Sequence, residues 1–190
     1  MQFDDKIGSI QQILTATNVG VLRRQAILKE LNLQKDQTII DIGCGGGHLV
    51  EEISMGVGSI GKVIGVDPSE FQINTAKERC KHLSNVHFLC SNANNINVEK
   101  NSCDGVTFTQ TLEYIEDVDE ALFAAKRLQK PRSIFVNVST LWDFFGFHGP
   151  EKELNDTMHK IYRSQKHPML PTKLNGKLKK QGYTNIKTQE

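Results

Sequence analysis

The chain has 190 residues and a formal net charge of +1, with 38% hydrophobic and 24% charged residues. These values are typical of a globular domain, and they exclude the strong positive field by which many proteins attract nucleic acid. No apolar run approaches the roughly 20 residues that span a bilayer, and residues 1–6 are polar and lack a signal-peptide core. We therefore expect a cytoplasmic protein with no membrane span and no nucleic-acid partner.

The hydrophobic pattern along the chain alternates between helical and strand periods. Apolar residues at helical spacing predict an N-terminal helical segment with a break near 18–20. Strands are predicted at 38–42, 63–66, 86–90, 105–109 and 133–138, with a further strand start at 183–187. Helices are predicted over 48–55, 70–82, 118–128, 151–164 and 172–180. Such alternation predicts an α/β fold: a Rossmann-like, doubly wound, mostly parallel sheet with helices on both faces.

Parallel sheets of this kind bind ligands at the carboxyl ends of their strands. The first predicted strand ends in the glycine-rich segment 43–47, which permits a tight turn and lets a ligand approach bare backbone. The helix after it would aim free N–H groups and its positive dipole end at that ligand. The spacing is G-x-G-x-G, and His48 stands where a dinucleotide fingerprint needs glycine. A glycine turn with a purely structural role is the alternative.

Three further strand ends carry polar side chains. Asp67 could accept two hydroxyls of a ribose, or it could cap the next helix, a role that Ser69 could also take. Asn92 offers an amide to a base edge, or it is a plain turn residue. The segment 109–114 would present polar and aromatic groups to a ligand, or it packs as a loop on the sheet end.

These segments together resemble the class I S-adenosylmethionine-dependent methyltransferases, in the small-molecule branch with the ubiquinone/menaquinone-type (methyltransferase type 11) enzymes. The similarity is carried by IIDIGCGGGHL at 39–49, Gly65–Pro68, Asn92–Ala93, 109–114 and Lys130–Ser133. Arg23–Gln25 and Trp142–Asp143 resemble a subgroup of that branch. The resemblance implies one domain over 1–190, in which a helical segment (1–35) precedes a cofactor-binding core (36–140) and a substrate-side region (141–190).

The resemblance also implies S-adenosyl-L-methionine as cofactor and S-adenosyl-L-homocysteine as its product. Asp41 would order the glycine loop without touching the ligand. The residues that match the cofactor positions of the family are Gly43, Cys44 and Gly45 under the methionine part and ribose, Asp67 at the ribose hydroxyls, Pro68 near the adenine, Asn92 and Ala93 at the adenine edge, Gln110 beside the methionine moiety, and Arg24 at the cofactor carboxylate.

The implied reaction is in-line methyl transfer to an O, N or C nucleophile of a small-molecule acceptor. No single catalytic residue is indicated. The residues that could act as a base or orient a substrate are Glu113, Tyr114, Asp143 and His148. The aromatic run Trp142, Phe144, Phe145 and Phe147 could wall an apolar pocket, or it packs as part of a loop. Histidine and cysteine spacings do not indicate a metal site.

Two other functions stay open from the residues. A nicotinamide-dependent oxidoreductase shares the sheet and the acidic second-strand tip, although His48 argues against it. A cofactor-binding module without turnover, acting with a partner, is suggested by Asn92, where the family has aspartate. Related enzymes also continue past 183–187 with a last hairpin strand, which we expect to be missing here. An open sheet edge would then favour a homodimer.

Overall fold

A five-stranded, all-parallel sheet forms the centre of the computed structural model, which describes residues 5–144, 151–163 and 165–189. The strands are β1 (Thr38–Ile42), β2 (Lys62–Asp67), β3 (Val86–Cys90), β4 (Cys103–Thr109) and β5 (Gln129–Val138). Their order across the sheet is β3-β2-β1-β4-β5. The sequence order reverses between β1 and β4, and this confirms the predicted doubly wound sheet.

Seven α-helices accompany the strands in the described residues. They are α1 (Asp5–Ala16), α2 (Asn18–Leu31), α3 (His48–Val57), α4 (Glu70–Arg79), α5 (Val118–Leu128), α6 (Lys152–Arg163) and α7 (Leu170–Lys180). Two short 3₁₀ helices cover Leu112–Tyr114 and Trp142–Phe144. Within the described segments, no helix has the length and apolar character that crossing a membrane requires.

The alternating side chains of the strands build two apolar clusters, one on each face of the sheet. Ile40 and Phe108 point to the face that α5 and α7 cover. Ile39 of the same β1 strand points to the opposite face, where it packs with Ile27 of α2 and Ile53 of α3. Both faces of the sheet are therefore covered by helices, as is usual for a parallel sheet.

The predicted break in the N-terminal helical segment lies at Thr17, one residue before the expected range. The Thr17 hydroxyl accepts a hydrogen bond from the Gly20 amide at 3.3 Å and so caps α2. A Cβ on Gly20 would lie 2.3 Å from the Thr15 carbonyl oxygen. Glycine is therefore needed where α1 turns sharply into α2.

Most predicted boundaries agree with the structure to within a few residues. Strand 86–90 and helix 118–128 coincide with β3 and α5, whereas the helix predicted over 70–82 ends at Arg79. Strand β5 begins at Gln129, four residues before its predicted start, and Arg132 within it has a positive φ of 64°. The β4–β5 register shifts between Cys103 and Gly105, which accommodates this irregular stretch.

The prediction of a strand start at 183–187 is wrong, because this segment has no regular secondary structure. Gly182 and Asn185 have positive φ values of 79° and 54°, and both interrupt an extended backbone. The apolar residues that suggested a strand have another role. Tyr183 packs against Phe135 with ring centroids 5.0 Å apart, and Ile186 also packs against the core.

Candidate functional site

The glycine-rich segment 43–47 leaves β1 at the switch in strand order, between the ends of β2 and β4. Gly43 and Gly45 have positive φ values of 78° and 50°. A Cβ on Gly43 would lie 2.1 Å from Thr111 Oγ1, so the segment after β4 packs directly on this glycine. A Cβ on Gly45 would meet only Gln72 Oε1, at 3.9 Å. Gly45 therefore exposes bare backbone to open space in which a ligand can lie.

The backbone N–H groups of this segment are largely used inside the protein. The amides of Gly43 and Cys44 donate to the Val66 carbonyl oxygen at 2.7 and 3.0 Å. The Gly45 amide donates to Asp67 Oδ2 at 3.0 Å. These three amides are therefore not the free donors that a phosphate group would need, and the free N–H groups predicted at the start of the following helix stay a prediction. The open space at Gly45 instead suits a ligand part that carries no phosphate.

The Asp67 carboxylate is held in a fixed orientation at the end of β2. Its Oδ1 accepts from the Ser69 amide at 2.9 Å, and its Oδ2 accepts from Gly45. Burial raises the pKa of Asp67, and these two backbone donors oppose that rise. Ser69 is the residue that caps α4, since its side chain accepts from the Gln72 amide. The carboxylate oxygens keep further lone pairs for the hydroxyls of a ligand.

The end of β3 lies beside the end of β2. The Ser91 amide donates to the Asp67 carbonyl oxygen at 3.1 Å, which brings the following residues to the same edge of the sheet. The side chains of Asn92 and Pro68 are exposed there, and Ala93 packs against the core. The structure thus brings together the residues that were predicted to meet a nucleoside.

Of the two adjacent arginines in α2, Arg23 faces the strand ends. Its Nη1 donates to Gln110 Oε1 at 2.9 Å. Arg24 is buried, and its guanidinium is bound to Glu52 Oε1 at 2.8 Å and to the Thr15 carbonyl oxygen at 2.6 Å. Arg23 is therefore better placed than Arg24 for a ligand, although only Arg24 was predicted to bind one.

The pattern of α2 contains the signal that separates these two arginines. The buried residues of α2 are Gly20, Arg24, Ile27 and Leu31. Their spacing is that of one helical face, so Arg24 lies on the stripe that packs against the protein. Arg23 lies about 100° away around the helix, which turns it toward the end of β4.

Arg23 is the positive group of an electrostatic cluster at the end of β4. Burial lowers the pKa of Arg23, and the nearby Glu113 and Tyr114 oppose that change. Burial raises the pKa of Glu113, which is fully buried. In the strand order, the end of β1 with Gly45 lies between β2, which ends in the Asp67 carboxylate, and β4, which is followed by Gln110 bound to the Arg23 guanidinium.

Helix α1 covers part of the glycine segment, which the sequence did not predict. A Cβ on Gly46 would lie 1.8 Å from Gln12 Nε2, so this side chain rests on the backbone of the glycine. Gln12 Nε2 donates to Gln72 Oε1 at 2.9 Å, and Gln72 Nε2 donates to Gln11 Oε1 at 2.8 Å. The partners are about 60 residues apart in the chain, and no local pattern signals their contact.

The four predicted catalytic residues differ in position. Glu113 is buried, and Tyr114 is partly buried beside Arg23. Asp143 lies in the short 3₁₀ helix Trp142–Phe144. His148 lies outside the described residues, as do Phe145 and Phe147 of the aromatic run. Trp142 is partly buried and Phe144 is 75% exposed, so at least one ring of this run is open to a ligand.

Two titratable groups at the glycine segment, His48 and Cys44, are uncharged at neutral pH. Burial, followed by the charges of Arg79 and Arg24, lowers the pKa of His48 to about 4. Burial raises the pKa of the Cys44 thiol well above its usual value. The described part of the chain contains no cluster of three or more histidine, cysteine or carboxylate side chains that could hold a metal ion.

Asp41 is buried under the site and is held by one side chain from β4. Thr107 Oγ1 donates to Asp41 Oδ1 at 2.6 Å, and only 2% of the residue is exposed. Burial raises its pKa from 3.8 to about 7, although the bond from Thr107 opposes the rise. The role predicted for Asp41, ordering the glycine loop, stays a prediction.

This pKa predicts how the stability depends on pH. Because the folded protein binds the Asp41 proton more tightly than the unfolded chain, the free energy of unfolding falls as the pH rises from about 4 to about 7.

The Asp41→Asn variant tests this prediction, because it keeps the acceptor for Thr107 and removes the titration. At about 1.4 kcal/mol per pKa unit, wild type should lose roughly 4 kcal/mol relative to the variant over this range. Urea unfolding at about pH 3.5 and about pH 8, below and above both pKa values, measures the difference. If the free energy of unfolding changed with pH equally in wild type and in Asp41→Asn, the prediction would be contradicted.

Comparison with known proteins identifies the family. A family model described as a methyltransferase domain matches residues 33–188. A demethylmenaquinone methyltransferase from Staphylococcus haemolyticus is 32% identical over 117 residues, which are 62% of this chain and 49% of the relative. A 37.1 kDa protein in a transposon of Streptomyces fradiae is 24% identical over 80% of this chain and 44% of its own length. The chain thus spans about half the length of the curated relatives that it matches.

Solved structures share the fold. A Methanococcus maripaludis protein, described as a putative S-adenosyl-L-methionine-dependent methyltransferase, has a TM-score of 0.72 at 18% identity and covers 98% of this chain and 88% of its own. A SAM-dependent methyltransferase from Aquifex aeolicus has a TM-score of 0.68 at 24% identity, over 84% and 78% of the two chains. Neither the family match nor these folds favours a nicotinamide-dependent oxidoreductase. The chain therefore belongs to the methyltransferase domain family and has the fold of the S-adenosylmethionine-dependent methyltransferases, as its strand-end motifs predicted.

Proposed function

We propose that this chain binds S-adenosyl-L-methionine and transfers the methyl group to a small-molecule acceptor, leaving S-adenosyl-L-homocysteine. The observation that carries the proposal is the position of the open Gly45 backbone, at the end of the strand between β2, which ends in Asp67, and β4, whose following segment binds Arg23. A fixed carboxylate suits the two hydroxyls of a ribose, and a guanidinium suits the carboxylate of an amino acid. The cofactor carries these two groups at opposite ends of its polar part.

The proposed binding roles follow this orientation. Asp67 accepts from the ribose hydroxyls, and the exposed Asn92 and Pro68 face the adenine together with Ala93. Gly43, Cys44 and Gly45 form the surface under the ribose and the methionine part. Gln110 lies at the methionine end with Arg23, which replaces Arg24 in our assignment of the carboxylate ligand because Arg24 is bound to Glu52.

The bound cofactor supplies a methyl group that its sulfonium has already activated, so the protein mainly binds, orients and shields the reactants. Orientation of donor and acceptor can lower the barrier by about 7–11 kcal/mol in favourable cases. Tyr114 and Asp143 are the described residues that we propose for contact with the acceptor, since they follow β4 and β5 at the same edge of the sheet. A base is required only for an acceptor that must lose a proton early.

The nature of the acceptor is a further part of the proposal. The partly buried Trp142 and the exposed Phe144 favour an apolar or ring-bearing acceptor over a small ion. The Trp142 amide donates to the Pro168 carbonyl oxygen at 3.1 Å, which ties this aromatic segment to the residues before α7. The names of the Staphylococcus relatives indicate a ring-bearing quinone as their acceptor, which is consistent with this choice.

Calorimetry and a turnover assay test the proposal. Wild-type protein should bind one S-adenosyl-L-homocysteine per chain, and NAD should not bind. Mass spectrometry should detect S-adenosyl-L-homocysteine when the protein is incubated with S-adenosyl-L-methionine and an acceptor from a panel of phenols, quinols, amines and carbon acids. Binding of the cofactor without turnover on any acceptor would favour the module that acts with a partner. Preferential binding of NAD would reject the proposal. A homodimer through the open edge of β5 and a cytoplasmic location stay predictions.

A further inference from the structure

A chain of hydrogen bonds links the buried carboxylate of Glu113 to the proposed cofactor ligands Gln110 and Arg23. The Thr140 amide donates to Glu113 Oε1 at 3.0 Å. Gln110 Nε2 donates to the Thr140 hydroxyl at 2.5 Å, and Gln110 Oε1 accepts from Arg23 Nη1 at 2.9 Å. These bonds join the segment after β4, the segment after β5 and helix α2, which are distant in the sequence.

Glu113 is the fixed end of this chain. Glu113 is 0% exposed, and the preceding Leu112 is equally buried in the apolar core. The Glu113 carbonyl oxygen also accepts from the His167 amide at 3.2 Å, so the segment before α7 holds its backbone as well. Hydrogen bonds from the Thr140 amide and the Ser139 side chain oppose the rise that burial causes in the pKa of Glu113. The carboxylate is therefore held by the segment after β5, and it fixes that segment against the end of β4.

Gln110 is the strained part of the chain. Its φ is +48°, in the left-handed region that residues other than glycine seldom adopt. Its amide N–H donates to the Val138 carbonyl oxygen at 2.7 Å, and its side chain is held by Thr140. Because Thr140 engages the NH₂ group, the carboxamide presents its oxygen to Arg23. Loss of Thr140 from this position would let the carboxamide rotate and would release the guanidinium.

We propose that Glu113 is a positioning residue: through Thr140 it orients Gln110 and Arg23 toward the amino-acid end of the cofactor. The inference rests on the proposed function, and it assigns Glu113 a role other than that of a catalytic base. The carboxylate lies behind Thr140, and it acts on the cofactor only through the side chains in front of it. Removal of the Glu113 carboxylate should therefore weaken binding of the amino-acid end of the cofactor and leave binding of the nucleoside unchanged.

Calorimetry with two probes tests this inference. S-adenosyl-L-homocysteine carries the amino-acid end, and adenosine lacks it. Glu113→Ala should raise the Kd for S-adenosyl-L-homocysteine about 10-fold, a coupling typical of contacting residues, and change the Kd for adenosine less than about 2-fold. Glu113→Gln keeps an acceptor for the Thr140 amide and should recover most of the affinity. Glu99→Gln, at an exposed glutamate, is the matched control and should leave both values unchanged.

A double-mutant cycle tests the route through Gln110. In a Gln110→Ala background, Glu113→Ala should add less than about a 2-fold loss of S-adenosyl-L-homocysteine affinity. Thr140→Val removes the hydroxyl but keeps the amide that binds Glu113, and it should reproduce the selective loss even if Glu113→Ala fails to fold. Equal losses for both probes, or losses that add fully in the double variant, would overturn the inference. A wild type that binds neither probe would reject the proposed function itself and this inference with it.

Discussion

Replacing Asp67 with alanine is expected to weaken S-adenosyl-L-homocysteine binding by about 100-fold. Each hydrogen bond to a charged group contributes about 1.5–3 kcal/mol, and the carboxylate is proposed to accept from two ribose hydroxyls. Two such bonds at the lower limit correspond to roughly 3 kcal/mol, or about two orders of magnitude in Kd. Calorimetric titration of wild type and variant measures the loss directly, without any knowledge of the methyl acceptor.

Two further variants make this result specific. Asp67→Asn keeps one carbonyl oxygen for the Ser69 or Gly45 amide but sets its NH₂ group against the other amide, so it should fold with reduced stability and bind weakly. Asp36→Asn is the control, because Asp36 is exposed before β1, and its φ of 67° suits asparagine. Full affinity in a well-folded Asp67→Ala protein would exclude the ribose role and, with it, the proposed orientation of the cofactor.

The glycines at 43 and 45 are expected to respond differently to alanine. Both have positive φ values, which cost an alanine about 1–2 kcal/mol. At Gly43 the new Cβ would also overlap Thr111 Oγ1, and such overpacking adds about 1–3 kcal/mol. Gly43→Ala should therefore lower the free energy of unfolding by roughly 2–5 kcal/mol, and Gly45→Ala by only about 1–2 kcal/mol. Urea unfolding of both variants at one pH measures these values.

Ligand binding is a second measurement in which the role of Gly45 can be tested. Gly45→Ala places a methyl group on the open surface proposed for the cofactor, so it should fold and still lose affinity for S-adenosyl-L-homocysteine. Gly176→Ala is the matched control, since Gly176 lies in α7 with no neighbouring atom within 4 Å. It should stabilise the protein by about 0.5–1 kcal/mol and leave binding unchanged. Unchanged affinity in Gly45→Ala would show that the ligand does not lie on this backbone.

The sequence by itself determined the sheet, its helices and the positions of the strand ends. Hydrophobic periodicity is a local property, and it located α5 and β3 to the residue. The glycines follow β1, Asp67 ends β2 and Asn92 lies just past β3, and parallel strands bring all such ends to one edge. The family and the nucleoside side of the proposed site were therefore accessible before any coordinates.

Only the tertiary structure decided the contacts between distant segments. Arg23 instead of Arg24 faces Gln110 because Arg24 lies on the buried stripe of α2 and is paired with Glu52. The link from Glu113 through Thr140 joins two loops after different strands, and residue order says nothing of its geometry. Periodicity alone could not show that segment 183–187 has no regular secondary structure, because apolar alternation indicates only which side chains are buried. A strand also needs a hydrogen-bonding neighbour and an extended backbone at every residue.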